Sequence, residues 1–389
     1  MHAATVAATT ETARKPIPFF PYPQVFLSEA DHLTRIFRDV GSRGAFILQR
    51  ELVQFETNLA QFTGAKHAIG VANATDGLLV ALRACGIGPG DEVIFPAHTM
   101  VATAAAIHFA GALPVPVDCG PDHLIDVRAV SAAITPRTAA ILPVHLNGRT
   151  ADMTSVMQIA KRHGLAVIED AAQALGSRFR GKCAGTFGQA SSISFYPAKL
   201  LGCLGDGGAV LTQDDEIAKK VWALHDHGRD QSGEVLGWGL NSRLDNLQAA
   251  ILDHRLTSYH LAIEKRRVLA GHYHEALSDL SEMVLPPGPD QGSLNGEIGD
   301  HFDVYQNYEV EAESRDQLRE HLAANGIGTL LPWGGKAVHQ WQQLGLTASL
   351  PATEQLFKGV LLLPMHVWLS QDEIARISAV IHQFYRSKA

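Results

Sequence analysis

Between about residues 50 and 225, short apolar runs alternate with segments of helical periodicity. The apolar runs predict strands at 67–72, 91–96, 113–118, 139–145 and 165–171. Helical patterns between them lie at 75–86 and 153–164, and two further short strands are predicted at 192–196 and 208–212. Near-continuous apolar strands that alternate with helices indicate an α/β fold, with a large, mainly parallel sheet and helices on both of its faces.

The pattern changes after Arg243, where the alternation of strands and helices ends. The predicted elements beyond it are a long helical stretch at 243–277, a Pro/Gly-rich loop at 286–298, a strand at 303–311, a helix at 315–325 and a final helix near 371–386. These elements indicate a smaller C-terminal α+β domain. We therefore expect a disordered tail over residues 1–18, a large domain over 19–255 and a small domain over 256–389.

Composition excludes several classes of protein. The 389 residues carry a net charge of -8 without a basic stripe, so we expect no nucleic-acid partner. The most apolar stretch, 100–117, contains His108 and ends in glycine and proline, which favours a buried helix and strand over a membrane span. Four separated cysteines without a CxxC pair, and an N-terminus without a secretory signal, indicate a cytoplasmic protein with reduced thiols and no metal site.

Polar residues lie where three predicted strands end, and ligands of parallel α/β sheets bind at that edge. Asp170 closes the strand at 165–171, and Thr75 lies in the segment that opens the helix after the first strand. Lys199 follows the strand at 192–196 inside "SISFYPAKLLGCLGDGG". Taken one by one, these residues have ordinary explanations, because polar residues commonly cap helices and most lysines face solvent.

Taken together, these residues match the chemical groups of a single ligand. A helix N-terminus at Thr75 with Ser194 nearby suits a phosphate, Asp170 suits a heteroaromatic ring nitrogen, and Lys199 suits an aldehyde. Pyridoxal 5′-phosphate combines these groups, so the sequence predicts it as the cofactor. Asp170 would keep the ring nitrogen protonated and the ring an electron sink, and a desolvated Lys199 would form an imine and move a proton.

The sequence resembles the DegT/DnrJ/EryC1/StrS family of pyridoxal-phosphate sugar aminotransferases. The resemblance covers nearly the whole chain after the tail and is carried by many ordered blocks. They include "FETNLAQFTGAKHAIGVANATDGLLVALRACGIGPGDEVIFPAHT", "VIEDAAQALGS", "SFYPAKLLGCLGDGGAV" and "GLNSRLDNLQAAIL". The resemblance implies the type I fold of pyridoxal-phosphate-dependent transferases, with a large cofactor domain and a smaller C-terminal domain.

The resemblance also implies roles for single residues. Lys199 resembles the lysine that forms the Schiff base, Asp170 the partner of the pyridinium nitrogen, and Gln173 the residue that contacts the phenolic oxygen of the cofactor. The implied phosphate contacts are Ala74, Thr75, Ser194 and, from the neighbouring subunit, Asn241. Arg243 lies close to Asn241 in the chain and completes the candidate cofactor-binding set.

This sequence departs from the family pattern at three positions. Ala74 replaces a frequent glycine, Asn147 replaces a common tyrosine, and Met100 stands where an aromatic side chain often stacks on the cofactor ring. We expect Met100 to cover the ring with its flexible thioether. The segment "PWGGKAVHQW" at 332–341 is expected to line the substrate cleft.

The family resemblance implies transfer of an amino group from an amino acid, L-glutamate in most relatives, to a keto carbon of a nucleotide-linked keto-deoxysugar or keto-pentose. Amination at C4 is favoured, with C3 as the other position. The resemblance further implies a homodimer, or an assembly of dimers, with shared active sites. Three alternatives stay open. The first is a sugar dehydratase, but in those relatives a histidine replaces the lysine, so Lys199 argues against it. The others are an aminotransferase for cyclitols or related ketones and a non-catalytic regulator that binds the cofactor.

Overall fold

The structure, a computed structural model, describes residues 15–289 and 300–388. The α-helices are α1 (Tyr22–Leu27), α2 (Ala30–Ser42), α3 (Arg50–Thr63), α4 (Ala74–Ala84), α5 (Val101–Ala110), α6 (Val127–Ala133), α7 (Met153–His163), α8 (Asp215–His225), α9 (Asn246–Leu256), α10 (Tyr259–Leu277), α11 (Arg315–Ala324), α12 (Pro351–Gly359) and α13 (Gln371–Arg386). Short 3-10 helices lie at Leu146–Gly148, Pro332–Gly335, Val338–Gln340 and Gln342–Leu344. Within the described ranges, no helix has both the length and the apolar character that crossing a membrane requires.

The strands form one large and two small sheets within these residues. They are β1 (His67–Val71), β2 (Glu92–Pro96), β3 (Leu113–Val117), β4 (Thr138–Ile141), β5 (Ala166–Asp170), β6 (Arg178–Phe179), β7 (Lys182–Cys183), β8 (Ala190–Ser194), β9 (Gly208–Thr212), β10 (Met283–Val284), β11 (His301–Phe302), β12 (Tyr308–Ala312) and β13 (Val360–Leu363). The small sheets have the strand orders β10-β12-β13 and β11-β6-β7.

A seven-stranded sheet in the order β1-β9-β8-β5-β4-β2-β3 forms the centre of the large domain. Neighbouring strands from β8 to β3 run parallel, whereas β9 pairs antiparallel with both β8 and β1. Alternate residues of β9 enter different apolar clusters: Val210 packs in the cluster with α4 and α5, and Ala209 and Leu211 pack in the cluster with α3 and α9. Helices therefore cover both faces, which confirms the predicted architecture.

Two of the predicted strands of this sheet differ from those observed. The run at 139–145 forms a ladder only as far as Ile141, because Pro143 has no backbone N–H to donate. The Pro143 carbonyl instead accepts the backbone N–H of Asp170 at 2.9 Å. The strand predicted at 192–196 is wrong by two residues, since β8 spans Ala190–Ser194 and the chain then turns away from the sheet.

The small domain has its own core, built by the sheet β10-β12-β13 and by α10, α11 and α13. The rings of Tyr273 and Tyr308 stack in this core at a centroid distance of 4.7 Å. Ile17 is also buried in it, and the backbone of Ile17 bonds to Gly326 and Gly328 at 2.8 Å each. Residues 15–18 are therefore folded, and the rest of the predicted tail lies outside the described residues.

The long helical stretch predicted at 243–277 is two helices, α9 and α10. They separate at Thr257, which caps the C-terminus of α9 and whose hydroxyl bonds to the His254 carbonyl at 2.7 Å. The first half of α10 packs in the large-domain core through Ile263, and its second half packs in the small-domain core through Tyr273. Because α10 contributes to both cores, the division of the chain near residue 255 stays a proposal.

The predicted strand at 303–311 is also wrong in part. The structure places β11 and β12 on either side of an irregular segment, 303–307, that belongs to neither strand. Periodicity alone does not reveal this interruption, because the residues on both sides of it pair in sheets. This irregular segment lies against the candidate active site described below.

Glu169, the residue before the last of β5, fixes a neighbouring loop. Its carboxylate is fully buried and accepts the backbone N–H groups of Gly185, Phe187 and Gly188 at 2.7–2.8 Å. It also lies 2.8 Å from Nε2 of His145. The carboxylate therefore satisfies four donors that burial would otherwise leave without an acceptor.

We expect Glu169→Gln to lower the free energy of unfolding by about 3 kcal/mol, because the amide group removes acceptor capacity and brings N–H groups toward backbone donors. Denaturant titration measures this as a lower midpoint with an unchanged slope. The matched control is Glu216→Gln, which removes an exposed carboxylate paired with Lys219 and should leave the midpoint in place. Equal midpoints for the two variants would contradict the assigned role of Glu169.

Candidate active site

A cavity of about 460 Å³ lies where the large sheet faces the small domain, at the ends of β5 and β8. This volume is in the range of sites that hold cofactors and small molecules. The predicted site residues that line it are Ala74, Thr75, Met100, Asp170, Gln173, Ser194 and Lys199. The irregular segment 303–307 and β12 contribute Gln306, Asn307 and Glu309. The topology thus brings together residues that are far apart in the chain.

Asp170, the last residue of β5, presents a buried carboxylate to this cavity. Its Oδ2 accepts the hydroxyl of Thr103 at 2.8 Å, and its Oδ1 accepts the backbone N–H of Ala172 at 3.1 Å. Burial raises the pKa of Asp170, whereas Thr103, Ala172 and the charge of Lys199 act to lower it. Each oxygen retains a lone pair, so the carboxylate can accept a further N–H donor from a ligand.

Lys199 lies in the irregular loop after β8, in a turn that its own N–H closes on the Tyr196 carbonyl at 2.8 Å. Burial lowers the pKa of Lys199 to about 8, and the charge of Asp170 acts in the opposite direction. An amine with this pKa is partly neutral near neutral pH, and the neutral form is the one that attacks a carbonyl group or accepts a proton. A lysine with this pKa is better suited to act as a nucleophile than a solvated surface lysine.

The N-terminus of α4 lines the same cavity. Asn73 caps the helix with its side chain, which accepts the N–H of Asp76 at 2.9 Å. The N–H groups of Ala74 and Thr75 have no acceptor within the helix, as is general for a first turn, and they are available to a phosphate. At Gly208 a Cβ atom would lie 2.8 Å from the Ala74 nitrogen, so glycine lets β9 pack directly against this turn.

Gln173 is held in one orientation by its neighbours. Its Oε1 accepts the backbone N–H of Asn147 at 2.8 Å. Because a backbone N–H only donates, the amide oxygen of Gln173 is fixed toward Asn147 and the NH₂ group is left to donate to a ligand. The side chain of Asn307 bonds in turn to Oδ1 of Asn147 at 2.8 Å. Asn147 has a φ of 55°, a conformation that asparagine adopts more readily than most residues.

Met100 and the segment 332–341 lie at one wall of the cavity. Met100 precedes α5 and is 53% exposed. Together with Trp333 and Trp341 it also lines an adjoining apolar pocket of about 380 Å³. Pro332 and Trp333 of this segment line the cavity, while the prediction that 332–341 lines the substrate cleft and contact between Met100 and a bound ring stay proposals.

The structure does not bring Asn241 and Arg243 to the cavity of their own chain. Asn241 is exposed and forms a backbone bridge with Asp226. Arg243 is held by the carboxylate of Asp226, at 2.8 Å from Nη1 to Oδ1. Among the described residues that line the cavity, Lys199 is the only lysine or arginine. A phosphate bound there would meet no other cationic side chain of the same chain.

Among the residues of the site that were not predicted from the sequence are Thr103, Gln306 and Asn307. The hydroxyls of Thr99 and Thr103 lie 2.8 Å apart. In the sequence these two threonines follow a predicted strand at a spacing of four residues, which is typical of side chains on one face of a helix, and this spacing could have indicated Thr103 as a site residue. Gln306 and Asn307 carry no such signal, because they lie inside a segment whose pattern resembles a strand. Their role depends on contacts with residues that are more than 100 positions away.

Comparison with known proteins shows close relatives over nearly the whole chain. The crystal structure of DesV from S. venezuelae in complex with a ketimine intermediate superposes with a TM-score of 0.89 at 39% identity, covering 95% of this chain and 98% of that one. The dTDP-3-amino-3,4,6-trideoxy-alpha-D-glucose transaminase of Streptomyces venezuelae is 38% identical over 97% of this chain and 98% of its own length. The UDP-N-acetyl-3-dehydro-alpha-D-glucosamine 3-aminotransferase of Acidithiobacillus ferrooxidans is 42% identical over 87% of this chain and 90% of its own.

The fold and the cavity define a pyridoxal-phosphate-dependent aminotransferase of fold type I. The chain belongs to the DegT/DnrJ/EryC1/StrS aminotransferase family, whose model matches residues 28–382. The cavity fits the cofactor of this family, because it combines a buried carboxylate at Asp170, an amine of lowered pKa at Lys199 and a helix N-terminus at Thr75.

We expect the pKa of Lys199 to fall below about 8 in the Asp170→Asn variant, because Asp170 is the charge that raises it. Trace labelling of the cofactor-free protein with acetic anhydride across a pH series, followed by mass spectrometry of the Lys199 peptide, measures this pKa. The matched control is Asp206→Asn, which removes another carboxylate from the same cavity and should change the pKa of Lys199 less. A Lys199 curve that does not shift with Asp170→Asn would show that the two charges do not interact.

Proposed function

We propose that the protein transfers the amino group of an amino acid, L-glutamate, to a keto carbon of a nucleotide-linked sugar. The observation that carries the proposal is the single cavity in which Lys199, Asp170 and the start of α4 converge. The substrate class is supported by the relatives described above, whose names specify dTDP- and UDP-linked amino sugars. Glutamate as the donor is supported by the family resemblance alone.

We propose C3 as the first position to test. The sequence resemblance favours C4, whereas the two relatives described above are named for an amino group at C3 of their sugars. Identities of 38% and 42% over most of each chain support C3 as the position to test first. A 4-keto sugar is therefore the alternative outcome of the same experiment.

In the proposed reaction each protein group has a task. Pyridoxal phosphate, when bound, supplies a protonated ring that accepts the electrons of a breaking C–H bond. The carboxylate of Asp170 would hold the ring nitrogen, the first turn of α4 and Ser194 would hold the phosphate, and the NH₂ group of Gln173 would donate to the ring oxygen. Lys199, with its lowered pKa, would accept a proton at Nζ and return it at a neighbouring carbon of the same ligand.

We expect the cofactor-loaded protein to form 2-oxoglutarate from L-glutamate and, with a panel of 3-keto and 4-keto dTDP- and UDP-sugars, to form an amino sugar detectable by mass spectrometry. Lys199→Ala should lower the rate by about 10³-fold or more, since it removes both the nucleophile and the proton carrier. The control Lys161→Ala changes an exposed lysine on α7 and should retain the wild-type rate. Absence of 2-oxoglutarate with the wild-type protein would favour a non-catalytic regulator, and reaction with cyclitol ketones alone would favour the cyclitol alternative.

We also propose that the active unit is a homodimer in which Asn241 completes the cofactor site of the partner subunit. Asn241 is exposed and lies away from the cavity of its own chain. Three residues before it, Trp238 is 97% exposed, with Val235 and Leu236 exposed beside it. An apolar surface of this kind next to Asn241 is typical of a protein–protein contact.

We expect mixtures of Lys199→Ala and Asn241→Asp proteins to be more active than either variant alone, rising toward about a quarter of the wild-type rate if subunits exchange freely. In the mixed dimer one site receives an intact Lys199 from its own chain and an intact Asn241 from its partner. The control mixture pairs Lys199→Ala with Asp170→Asn, two residues of one cavity, and should show no gain. No gain in the first mixture, despite mixed dimers detected by native mass spectrometry, would refute the shared site.

A further inference from the structure

Residues 303–307 form an irregular segment between β11 and β12, and we call it the crossing segment because it runs across one side of the cavity. It approaches the large domain so closely at Gly148 that a Cβ atom there would lie 2.7 Å from the backbone nitrogens of Tyr305 and Gln306. The backbone N–H of Val304 also donates to the Gly148 carbonyl at 2.9 Å. The crossing segment is therefore held against the large domain at a defined distance.

The side chain of Gln306 reaches from the crossing segment to the backbone on both sides of Lys199. Its Nε2 donates to the Ala198 carbonyl at 3.0 Å, and its Oε1 accepts the N–H of Leu200 at 2.8 Å. Gln306 is 8% exposed, so these bonds are largely shielded from water. A single amide group thus pairs with the two peptide units that flank the lysine.

The loop that carries Lys199 depends on such contacts. Residues 197–207 form no helix or strand, so their backbone groups have no regular ladder to pair with. One contact is the turn in which the Lys199 N–H bonds to the Tyr196 carbonyl. Two glutamine side chains also bond to the loop: Gln306 beside the lysine, and Gln248, whose Oε1 accepts the N–H of Leu204 at 2.9 Å. The two glutamines therefore form hydrogen bonds with the same loop at different distances from Lys199.

The backbone of Gln306 is itself held by hydrogen bonds from a buried arginine. Arg266 is buried, and its Nη1 donates to the backbone carbonyls of Tyr305 and Gln306 at 2.9 and 2.7 Å. These bonds involve the backbone of Gln306 and do not depend on its side chain. The orientation of the Gln306 amide is unambiguous, because the Ala198 carbonyl only accepts and the Leu200 N–H only donates. No aliphatic side chain reproduces both bonds.

We propose that Gln306 is the positioning residue of Lys199, a role that rests on the proposed function of Lys199. The amide of Gln306 holds the peptide units on either side of the lysine, and so it sets where Nζ can reach within the cavity. The next residue, Asn307, bonds to Asn147, which fixes Gln173. The crossing segment therefore aligns the lysine and the predicted ring-oxygen contact from one stretch of small-domain chain.

The test compares Gln306→Ala with Gln248→Ala, which removes one side-chain bond from the same loop away from the lysine. Hydrogen exchange of the cofactor-free proteins, followed by mass spectrometry, reports on the peptide that covers 198–203. We expect Gln306→Ala to speed exchange at Leu200 and Gln248→Ala to leave it unchanged. With the loaded enzyme, Gln306→Ala should lower kcat by about tenfold to 10²-fold with little change in the KM for the amino donor, because misplacement of a reacting group affects the chemical step.

Gln306→Glu is the second variant, since a carboxylate keeps the acceptor for Leu200 but has no donor for the Ala198 carbonyl. It should retain slow exchange at Leu200 and still lose kcat. Unchanged exchange at Leu200 in Gln306→Ala, or a loss of kcat no larger than that of Gln248→Ala, would overturn the proposal. The exchange measurement uses the cofactor-free protein. It therefore tests whether Gln306 holds the loop around Lys199 even if the wild-type enzyme fails to aminate any sugar.

Discussion

The buried carboxylate of Asp170 is the constraint on which the rest of the site depends. A charge in this position requires donors, and they come from different parts of the fold: the hydroxyl of Thr103 on α5 and the backbone of Ala172 after β5. The charge of Lys199, on the loop after β8, opposes the effect of burial on Asp170. The carboxylate therefore joins α5 to the end of β5 and interacts electrostatically with the loop after β8.

The neighbouring residue shows why position within a strand decides the task of a carboxylate. Glu169 and Asp170 are adjacent at the end of β5, and successive side chains of a strand point to opposite faces of the sheet. Glu169 meets three backbone N–H groups and His145, and so it is saturated with protein donors. Asp170 meets two donors and the cavity, which leaves acceptor capacity for a ligand.

The features that could be predicted from the sequence are those with a local signal. The strands and helices around the cavity, and the placement of Asp170, Thr75 and Lys199 at strand ends, follow from periodicity and from the rule that ligands bind at the carboxyl edge of a parallel sheet. The crossing segment could not be predicted, because its residues continue a strand-like pattern and Gln306 acts on a loop more than 100 positions away. The position of Asn241 outside the cavity of its own chain was implied by the family resemblance, and no local pattern indicates it.

The charges of the cavity bear on the proposal that a second chain contributes to the site. Its described lining carries the carboxylates of Asp170, Asp206 and Glu309 and the single amine of Lys199, and of these carboxylates Glu309 is paired with His123 at 2.9 Å. The proposed ligands are themselves anionic, since they include a phosphate, a nucleotide diphosphate and the carboxylates of the amino donor. The N-terminus of α4 offsets only part of this repulsion, because a helix dipole contributes about 0.3–1 kcal/mol at an exposed end. This balance of charge supports the proposal that a second chain supplies further donors, with Asn241 placed beside the exposed apolar residues Val235, Leu236 and Trp238.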